Sequence, residues 1–402
     1  MNNDFIKVDL HIHTPASKCF TGGDNNEEYL NILRKAKSLN IKIISITDHN
    51  SIEGYKRLIN IKDSLIKEIN DLTVTNIANN THPDLAFLNK KLDLFNDLLI
   101  LPGIEFETKN GVHLLIIFDN HTPLDEIYRF LEEGGYDRTQ YGIERPTILS
   151  KWDILDLFAE SKKHDCLVID AHTDSDKGIY NTIQKGAYRA NCFKSSQLHG
   201  VCYKSEKQKN HIITAINNSK EYQRSSILAF LKFSDAHSAN EIGRNLSWFK
   251  IETIDFQSLK SAFSNPPENI TTEPPHINAI LNKLIGGKGI ITYGIPSLSK
   301  EHKEEFKRAI CALNNCKGGY ILFGIDHDKN KVGLDLPSSK AKREERIKEY
   351  STDIFNCLDD IAGALGTPSC RLYPLQANKC VISVNIKQRD KLISINNDGK
   401  IY

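Results

Sequence analysis

The stretch Phe5-Ile-Lys-Val-Asp-Leu-His-Ile-His-Thr-Pro15 contains the pattern that decides the fold of the first part of this chain. It begins as a strand-like run and ends in two histidines that Thr14 and Pro15 follow directly. Residues two apart in a strand point to the same side, so His11 and His13 can face one ion. The stretch therefore predicts a β-strand with a candidate metal-binding pair at its carboxyl end.

The same placement of polar residues recurs at the edges of later apolar runs. The candidates are His49 in Thr47-Asp48-His49, Glu105 in Gly103-Ile104-Glu105, His113, His172 in Asp170-Ala171-His172, and Asp235 and His237 in Ser234-Asp235-Ala236-His237. Neutral imidazole and carboxylate are the ligands expected for Zn, Mn or Fe ions rather than for Ca or Mg. The recurrence predicts a metal site built from the ends of several strands.

Short β-like runs alternate with helical segments along the first 265 residues. A helix candidate at 27–39 separates the first run from the next, 41–47, and a second helix candidate at 52–69 follows. Alternation of this kind predicts an α/β fold with parallel strands, and the runs are numerous enough for a barrel. In such barrels the chemistry lies at the carboxyl ends of the strands.

A chain of 402 residues is too long for one ordinary hydrophobic core, so two domains are expected. The stretch 264–276 carries four prolines and is typical of a linker. These features predict a first domain at 1–265, a Pro-rich linker at 266–276 and a smaller α+β domain at 277–402.

Composition favours a cytoplasmic protein with no membrane segment. The first residues lack the features of a signal peptide, and no apolar run approaches the roughly 18 residues of a membrane span. The nine cysteines are scattered without a CxxC pair, as expected for reduced thiols. Residues 281–402 hold 20 Lys and Arg against 14 Asp and Glu, which is compatible with nucleic-acid binding or with ordinary surface charge.

Taken together, the motifs of the first domain resemble the polymerase and histidinol phosphatase (PHP) superfamily of metal-dependent phosphoesterases. The matching pieces are DLHIHT (9–14), ITDHN (46–50), PGIE (102–105), DAHTDSDKG (170–178) and FSDAH (233–237). The resemblance implies a distorted barrel with two or three divalent ions, Zn, Mn or Fe, at its mouth. It also implies hydrolysis of phosphate esters by a metal-activated water.

The resemblance distributes the ligands among three ions. It gives His11, His13, Glu105 and Asp235 to the first ion, Glu105, His113 and His172 to the second, and His49 and His237 to the third. Where the family often has a further His or Asp, this chain has Cys19, with Asp24 as a possible substitute. The implied catalytic residues are His11, His13, Glu105 and Asp235, with Lys177 and Arg244 as candidate phosphate contacts or plain surface cations.

Residues 296–402 resemble the Schlafen-type AlbA-like domain, on the segment Glu304 to Asp326 and on Val332-Gly-Leu334. Members of that family bind DNA, and some relatives cleave RNA with an acidic site. Glu305 and Asp326 match that acidic site, but one carboxylate is missing, so binding is favoured over cleavage. The candidate phosphate contacts are Lys307, Arg308, Lys317, Lys340, Lys342 and Arg343, the last three being alternatively a helix face of mixed charge.

A hydrolytic metal site joined to a nucleic-acid-binding domain predicts a nuclease, with a role in defence against foreign DNA as an associated expectation. One alternative is a small-molecule phosphomonoesterase of the histidinol-phosphatase kind. Another is a DNA-binding regulator in which the PHP module is only structural. A homo-oligomer or a partner from the same operon is compatible with all three.

Overall fold

The structure is a computed structural model that describes residues 5–75, 83–204, 206–294, 300–316, 318–359, 361–362, 369–376, 378–386 and 394–395. Contacts within the chain divide it into two compact units, Met1–Thr272 and Glu273–Tyr402. In the described ranges, no helix is both long enough and apolar enough to cross a membrane.

The first unit is built around one nine-stranded sheet that is nearly closed into a barrel. Its strands are β1 (Phe5–Ile12), β2 (Ile41–Ile46), β3 (Leu99–Glu107), β4 (His113–Phe118), β5 (Cys166–Asp170), β6 (Leu198–Cys202), β7 (Ala229–Leu231), β8 (Ser247–Lys250) and β9 (Ile270–Thr271). They lie in the order β7-β6-β5-β4-β3-β2-β1-β8-β9. This arrangement confirms the predicted α/β barrel class.

Ten α-helices of this unit lie within the described residues. They are α1 (Asn26–Ser38), α2 (Glu53–Thr75), α3 (Pro83–Leu92), α4 (Leu124–Glu133), α5 (Ile154–Ser161), α6 (Ile179–Thr182), α7 (Ala187–Lys194), α8 (Glu206–Asn218), α9 (Phe256–Ala262) and α10 (Pro266–Asn269). Side-chain caps fix the residues at which two of these helices begin. Asn25 accepts from the first free backbone N–H groups of α1, and Asp153 and Asp156 form a capping box on α5.

The prediction that the strands run parallel is only partly right. The pairs β1–β2, β2–β3, β5–β6 and β6–β7 are parallel, but β4 runs antiparallel to both β3 and β5, and β8 is antiparallel to β1. A short connection between β3 and β4 explains the reversal, because parallel neighbours need a long crossover. The reversal brings the beginning of β4 to the edge where β3 and β5 end.

Alternate residues of the strands face two different apolar clusters. In β4, Leu114 and Ile116 pack in the cluster that contains the helix residue Phe130, whereas Leu115 packs in a second cluster with Phe256 of α9. Period-two alternation in a strand that is buried on both faces produces this division. Helices therefore cover the outer face of the barrel, and apolar side chains fill its interior.

The predicted linker 266–276 is instead structured over much of its length. Its prolines begin α10 at Pro266 and a further helix at Pro275, where a missing N–H costs nothing. Strand β9 lies between them and pairs with β8. Proline at a first helical position explains why a proline-rich stretch is helical here.

The second unit is smaller and contains a mixed sheet. Its elements are α11 (Pro275–Ile285), β10 (Ile290–Tyr293), α12 (Lys300–Asn315), β11 (Gly319–Phe323), β12 (Leu334–Asp335), α13 (Lys340–Asp359), β13 (Ile361–Ala362), β14 (Ser369–Leu375), β15 (Lys379–Ile386) and β16 (Ser394–Ile395). The main sheet has the order β10-β11-β15-β12, and β14 also pairs with β15. Phe306 of α12 and Phe323 of β11 lie in its core.

Candidate metal centre

The predicted ligands of the first unit meet at one mouth of the barrel. They are His11, His13, Cys19, His49, Glu105, His113, His172, Asp235 and His237. His11 lies near the end of β1, Glu105 lies in β3, and His172 follows β5 by two residues. His113 is the first residue of β4, and the reversed direction of that strand explains why a strand beginning contributes a ligand.

Glu105 is the centre of the cluster and is fully buried. Its Oε2 atom lies 3.3 Å from Nε2 of His11, 3.3 Å from Nε2 of His13 and 2.9 Å from Nδ1 of His49. Its Oε1 atom lies 2.9 Å from Nδ1 of His113 and 3.1 Å from Nε2 of His172. One carboxylate thus contacts five imidazoles, as a bridging ligand between two ions would.

Asp235 supplies the second carboxylate, from the loop after β7. Its Oδ1 atom lies 3.4 Å from Nε2 of His11 and 3.7 Å from Nε2 of His13. The backbone oxygen of Asp235 accepts a hydrogen bond from Nδ1 of His237 at 3.0 Å. This contact leaves Nε2 of His237 available as a ligand.

Several buried atoms of this cluster lack a hydrogen-bond partner. They are Nε2 of His11, His13, His49 and His113, and Oε2 of Glu105. Buried polar atoms are nearly always hydrogen-bonded, so five orphaned atoms facing one small volume require an explanation. Nitrogen and carboxylate donors that converge in this way fit divalent transition-metal ions. The buried His, Glu and Asp groups therefore have the arrangement of a multinuclear metal site.

The electrostatics of the cluster agree with that interpretation. Burial raises the pKa of Glu105, but the charges of His49, His11 and His113 outweigh burial and hold it well below its ordinary value. Burial also raises the pKa of Asp235, but the charge of His11 opposes burial. The pKa of Asp235 is therefore likewise well below its ordinary range. Burial lowers the pKa of His11 to about 4. Burial also disfavours the charged form of His13, but the nearby carboxylates of Asp235 and Glu105 outweigh it and raise the pKa of His13 to about 10. Without a cation, the ionised carboxylates thus favour a proton on His13, which a metal bound there would displace.

Asp48 organises the turn that follows β1. Its carboxylate accepts from the backbone N–H of Thr14 at 2.8 Å, from the hydroxyl of Thr14 at 2.8 Å and from the hydroxyl of Ser17 at 2.7 Å. Oγ of Ser17 also lies 3.2 Å from Nδ1 of His13. Asp48 therefore positions His13 indirectly, through the turn that it holds.

A cavity of about 140 Å³ opens onto the cluster. Its lining residues are His49, Glu105, Glu144, His172, Ser175, Asp176, Lys177, Lys204, Asp235 and His237. Lys177, predicted as a phosphate contact, lines this cavity and forms an ion pair with Glu144. Lys204 also lines the cavity. The sequence did not predict it, because it is a single lysine after β6 that belongs to no motif. Its backbone N–H donates to Asp174 at 2.8 Å, which ties it to the loop after His172.

Arg244, the other predicted phosphate contact, is not among the residues that line the cavity in the described structure. Its guanidinium donates to the backbone oxygens of Ser234 and Asp235 and pairs with Glu241. Arg244 therefore supports the loop that carries Asp235.

The ligand atoms form four overlapping groups, each within 4.8 Å. These groups are His11, His13 and Glu105; His11, His172 and Asp235; His49, Glu105 and His113; and His13, Cys19, His49 and His237. They share members, as expected of ions that lie close together. Asp24, the possible substitute for Cys19, is exposed and belongs to none of the groups in the described residues.

The candidate phosphate contacts of the second unit differ in their surroundings. Lys307 is buried and pairs with Glu304 at 2.7 Å, while Arg308 is exposed on α12. Arg343 donates to Oδ1 of Asn378 at 2.6 Å. Lys340 and Lys342 belong to the first turn of α13, where Lys342 is exposed, and Lys317 lies outside the described residues. Of this set, Arg308 and Lys342 are exposed cations on described helices.

Comparison with protein families gives a match between residues 296–402 and the model described as Schlafen, AlbA_2. A search of curated proteins gives an uncharacterized protein of Methanocaldococcus jannaschii, 44% identical over 54 residues. That alignment covers 12% of this chain and 32% of the relative, so the chain spans about a third of that protein's length.

Among solved structures, the chain is similar to the lesion-specific endonuclease Q of Pyrococcus furiosus, with 17% identity and a TM-score of 0.44. The alignment covers 65% of this chain and 56% of that enzyme. A two-domain protein of Bacteroides vulgatus with a predicted PHP-like metal-dependent phosphoesterase gives 14% identity and a TM-score of 0.37. Its alignment covers 66% of this chain and 64% of that protein.

Because these TM-scores lie below 0.5, the assignment of the first unit depends on its own residues. The five PHP-type motifs predicted ligands that meet in one buried cluster at the mouth of a nearly closed sheet. The chain thus joins an N-terminal unit of PHP-like phosphoesterase fold to a C-terminal segment, 296–402, that matches the Schlafen, AlbA_2 model.

Proposed function

We propose that this protein is a metal-dependent phosphoesterase that cleaves phosphodiester bonds in nucleic acid. The observation that carries the proposal is the cavity itself. Imidazoles and two carboxylates converge at its inner end, and Lys177 and Lys204 lie among its lining residues. Metal ligands with nearby cations form a site suited to a phosphate group.

Divalent ions held by this cluster would supply activation of water and stabilisation of charge on phosphate oxygens. Glu105 and Asp235 would hold the ions together with the imidazoles around them. Lys177 and Lys204 would contact the phosphate oxygens, where fixed cations stabilise developing negative charge. Lys177 is paired with Glu144 in the structure, so a phosphate would compete with that carboxylate for its ammonium group.

The choice of nucleic acid as substrate depends on the second unit. Residues 296–402 match the model described as Schlafen, AlbA_2, a resemblance that implies DNA binding, and the charge of residues 281–402 is +6. A basic domain in the same chain would hold the polymer by its phosphates and raise its concentration near the hydrolytic site.

The direct test is cleavage of labelled single- and double-stranded DNA and RNA by metal-stripped protein resupplied with Mn²⁺ or Zn²⁺. A small phosphodiester and a small phosphomonoester are assayed beside them. We expect cleavage of a polymer only with metal, and its loss in the variant His11→Ala plus His13→Ala. The matched control is His121→Ala plus His327→Ala, since both residues are exposed and neither belongs to the cluster.

A small-molecule phosphomonoesterase is the second candidate, and the modest size of the cavity favours it, because about 140 Å³ suits a phosphate group more than a duplex. If only the phosphomonoester is hydrolysed, the nuclease proposal is wrong and this alternative holds. If no ester is hydrolysed and metal-free protein binds DNA fully, the first unit has a structural role.

The contribution of the second unit is tested by charge reversal. The variant Arg308→Glu plus Lys342→Glu should weaken binding to duplex DNA. The slope of log K against log salt concentration should become shallower by roughly 0.9 per lost phosphate contact. Hydrolysis of the small phosphodiester should not change. The control Lys283→Glu plus Lys288→Glu makes the same charge change at two exposed lysines of this unit. Equal weakening by both variants would indicate only a general charge effect.

A further inference from the structure

Cys19 lies in the turn after β1, and neighbouring residues hold that turn on both sides. Two residues earlier, Ser17 donates to Asp48 at 2.7 Å, and the backbone N–H of His49 donates back to Ser17 at 3.2 Å. Two residues later, the backbone N–H of Thr21 donates to the oxygen of His237 at 2.6 Å. Cys19 is therefore fixed between the loops that carry His49 and His237.

The thiol of Cys19 lies among imidazoles. Its Sγ atom and one ring nitrogen from each of His13, His49 and His237 all lie within 4.8 Å of one another. The rings are also close, with centroids 4.4 Å apart for His13 and His237 and 4.5 Å apart for His13 and His49. Such a set of one sulfur and several nitrogens is a typical zinc environment.

The surroundings of Nδ1 in two of these histidines leave Nε2 available for a metal. Nδ1 of His237 donates to the backbone oxygen of Asp235 at 3.0 Å, and Nδ1 of His49 lies 2.9 Å from Oε2 of Glu105 in an ion-pair contact. An imidazole that donates from Nδ1 to an oxygen keeps a lone pair on Nε2 for a metal. His49 is 3% exposed, and its Nε2 atom is buried without a hydrogen-bond partner.

We propose that Cys19, His49 and His237 bind a thiophilic divalent ion through a thiolate, so that this position prefers Zn²⁺ over Mn²⁺ or Mg²⁺. The inference depends on the proposed metal-dependent function and assigns one position of that site to a distinct class of metal. Thiolate ligands select softer ions, whereas carboxylates accept harder ones. The position that Glu105 and Asp235 would form has no sulfur donor among the described residues of the cluster, so it should accept Mn²⁺ as well.

The distances are compatible with such an ion. Bonds of about 2.1 Å to nitrogen and about 2.3 Å to sulfur separate tetrahedral ligand atoms by about 3.5 Å. Donor atoms within 4.8 Å need only small side-chain rotations to reach that spacing. His13 contacts Glu105 and Asp235 and would hold the neighbouring ion, so three donors would leave a fourth position open.

The experiment uses the full chain, stripped of metal and reconstituted with Zn²⁺, and measures zinc content and X-ray absorption. Wild type should show a sulfur neighbour at about 2.3 Å. Cys19→Ser should lose that signal and about one equivalent of zinc, while Cys19→Asp should lose the sulfur signal and gain retention of Mn²⁺. The control Cys316→Ser, at an exposed thiol of the second unit, should behave as wild type.

The outcomes separate this inference from the proposed function. Zinc bound by wild type without a sulfur neighbour, or a sulfur signal that survives Cys19→Ser, would overturn the thiolate site and leave the phosphoesterase proposal standing. Wild type that binds no metal at all would overturn both. The wild-type absorption spectrum decides the point without any variant, so a substitution that fails to fold cannot hide the answer.

Discussion

Arg244 donates from Nη2 to the backbone oxygen of Asp235 at 2.8 Å, and Asp235 has a φ of 50°. This left-handed conformation is uncommon for a residue other than glycine and requires support from its surroundings. Arg244 also donates to the oxygen of Ser234. The guanidinium thus fixes the backbone from which a candidate metal ligand projects.

Replacing Arg244 by lysine should therefore weaken metal binding. A single ammonium cannot reproduce the forked contact with two adjacent carbonyl oxygens, so the loop and Asp235 should shift. We expect metal affinity to fall by about tenfold, the lower range for residues that orient a ligand. Competition with a chromophoric chelator measures it, and Arg34→Lys, at a surface arginine paired with Glu27, is the control.

The same variant distinguishes the two roles considered for Arg244. If Arg244 contacts substrate phosphate, Arg244→Lys should raise KM and leave metal affinity unchanged. If Arg244 supports Asp235, the substitution should lower metal affinity, and excess metal should restore activity. Unchanged metal affinity in Arg244→Lys would contradict the supporting role.

Gly54, near the beginning of α2, should not tolerate a methyl group. A Cβ atom there would collide with Oδ2 of Asp48 and Oγ1 of Thr14, which are hydrogen-bonded to each other. Helix propensity alone would make Gly54→Ala stabilising by about 1 kcal/mol. We expect the collision to outweigh propensity and lower the free energy of unfolding by about 1–3 kcal/mol, as overpacked sites do.

Denaturant unfolding of Gly54→Ala measures that change, with metal affinity as a second measurement because the turn after β1 carries His13. Gly186→Ala is the matched control, since a Cβ at Gly186 meets no atom within 4 Å. A Gly54→Ala variant that is more stable than wild type would contradict the importance of the contact between Asp48 and Thr14.

The sequence was most informative about which residues form the site. Paired histidines after a strand, and His or Asp after later strands, are local patterns, and the structure brings these side chains together. The grouping follows from the sheet, because the ends of neighbouring strands meet at one edge. The direction of a strand was harder to predict. Nothing in the run 112–118 indicates that β4 is reversed, because a strand buried on both faces has the same apolar pattern in either direction.

The residues that the sequence did not reveal depend on contacts distant in the chain. Lys204 is a single lysine in a charged segment, and only the pairing of β5 with β6 brings it beside the loop of His172. Arg244 was predicted near the site from its closeness to Asp235, but its target is the backbone, which a motif cannot specify. Short strands such as β9 lack a sequence pattern because two residues carry no periodicity.

His199 should make the stability of the first unit depend on pH. It lies at the irregularity between β5 and β6, where its Nδ1 accepts from the backbone N–H of Val168 at 3.1 Å. Burial, with the charge of Lys260, lowers its pKa to about 4. Above its unfolded pKa of about 6.5 this arrangement contributes fully, and the contribution is lost as the pH falls toward 4, because the unfolded chain binds the proton first.

The variant His199→Asn keeps an oxygen that can accept from Val168 but does not titrate. The free energy of unfolding of wild type relative to this variant should therefore fall by about 2 kcal/mol between pH 7.5 and pH 5. Denaturant titrations at both pH values measure it. A difference that stays constant with pH would mean that His199 titrates normally in the folded protein.

Glu105→Gln should abolish stabilisation of the first unit by metal. The carboxylate contacts five imidazoles, and an amide has neither its charge nor its second acceptor oxygen. For wild type, a metal at 100 times its Kd should add about 2.7 kcal/mol to the free energy of unfolding, and a chelator should remove that gain.

Thermal unfolding of both proteins with Zn²⁺, with Mn²⁺ and with chelator tests this prediction. Glu126→Gln is the matched control, because Glu126 lies 2.7 Å from Nδ1 of His164 and is an acid–imidazole pair outside the cluster. It should retain the full metal-dependent rise in Tm, whereas Glu105→Gln should show little. A normal rise in Glu105→Gln would mean that the ions bind without the carboxylate at the centre of the cluster, and the bridging role assigned to it would be wrong.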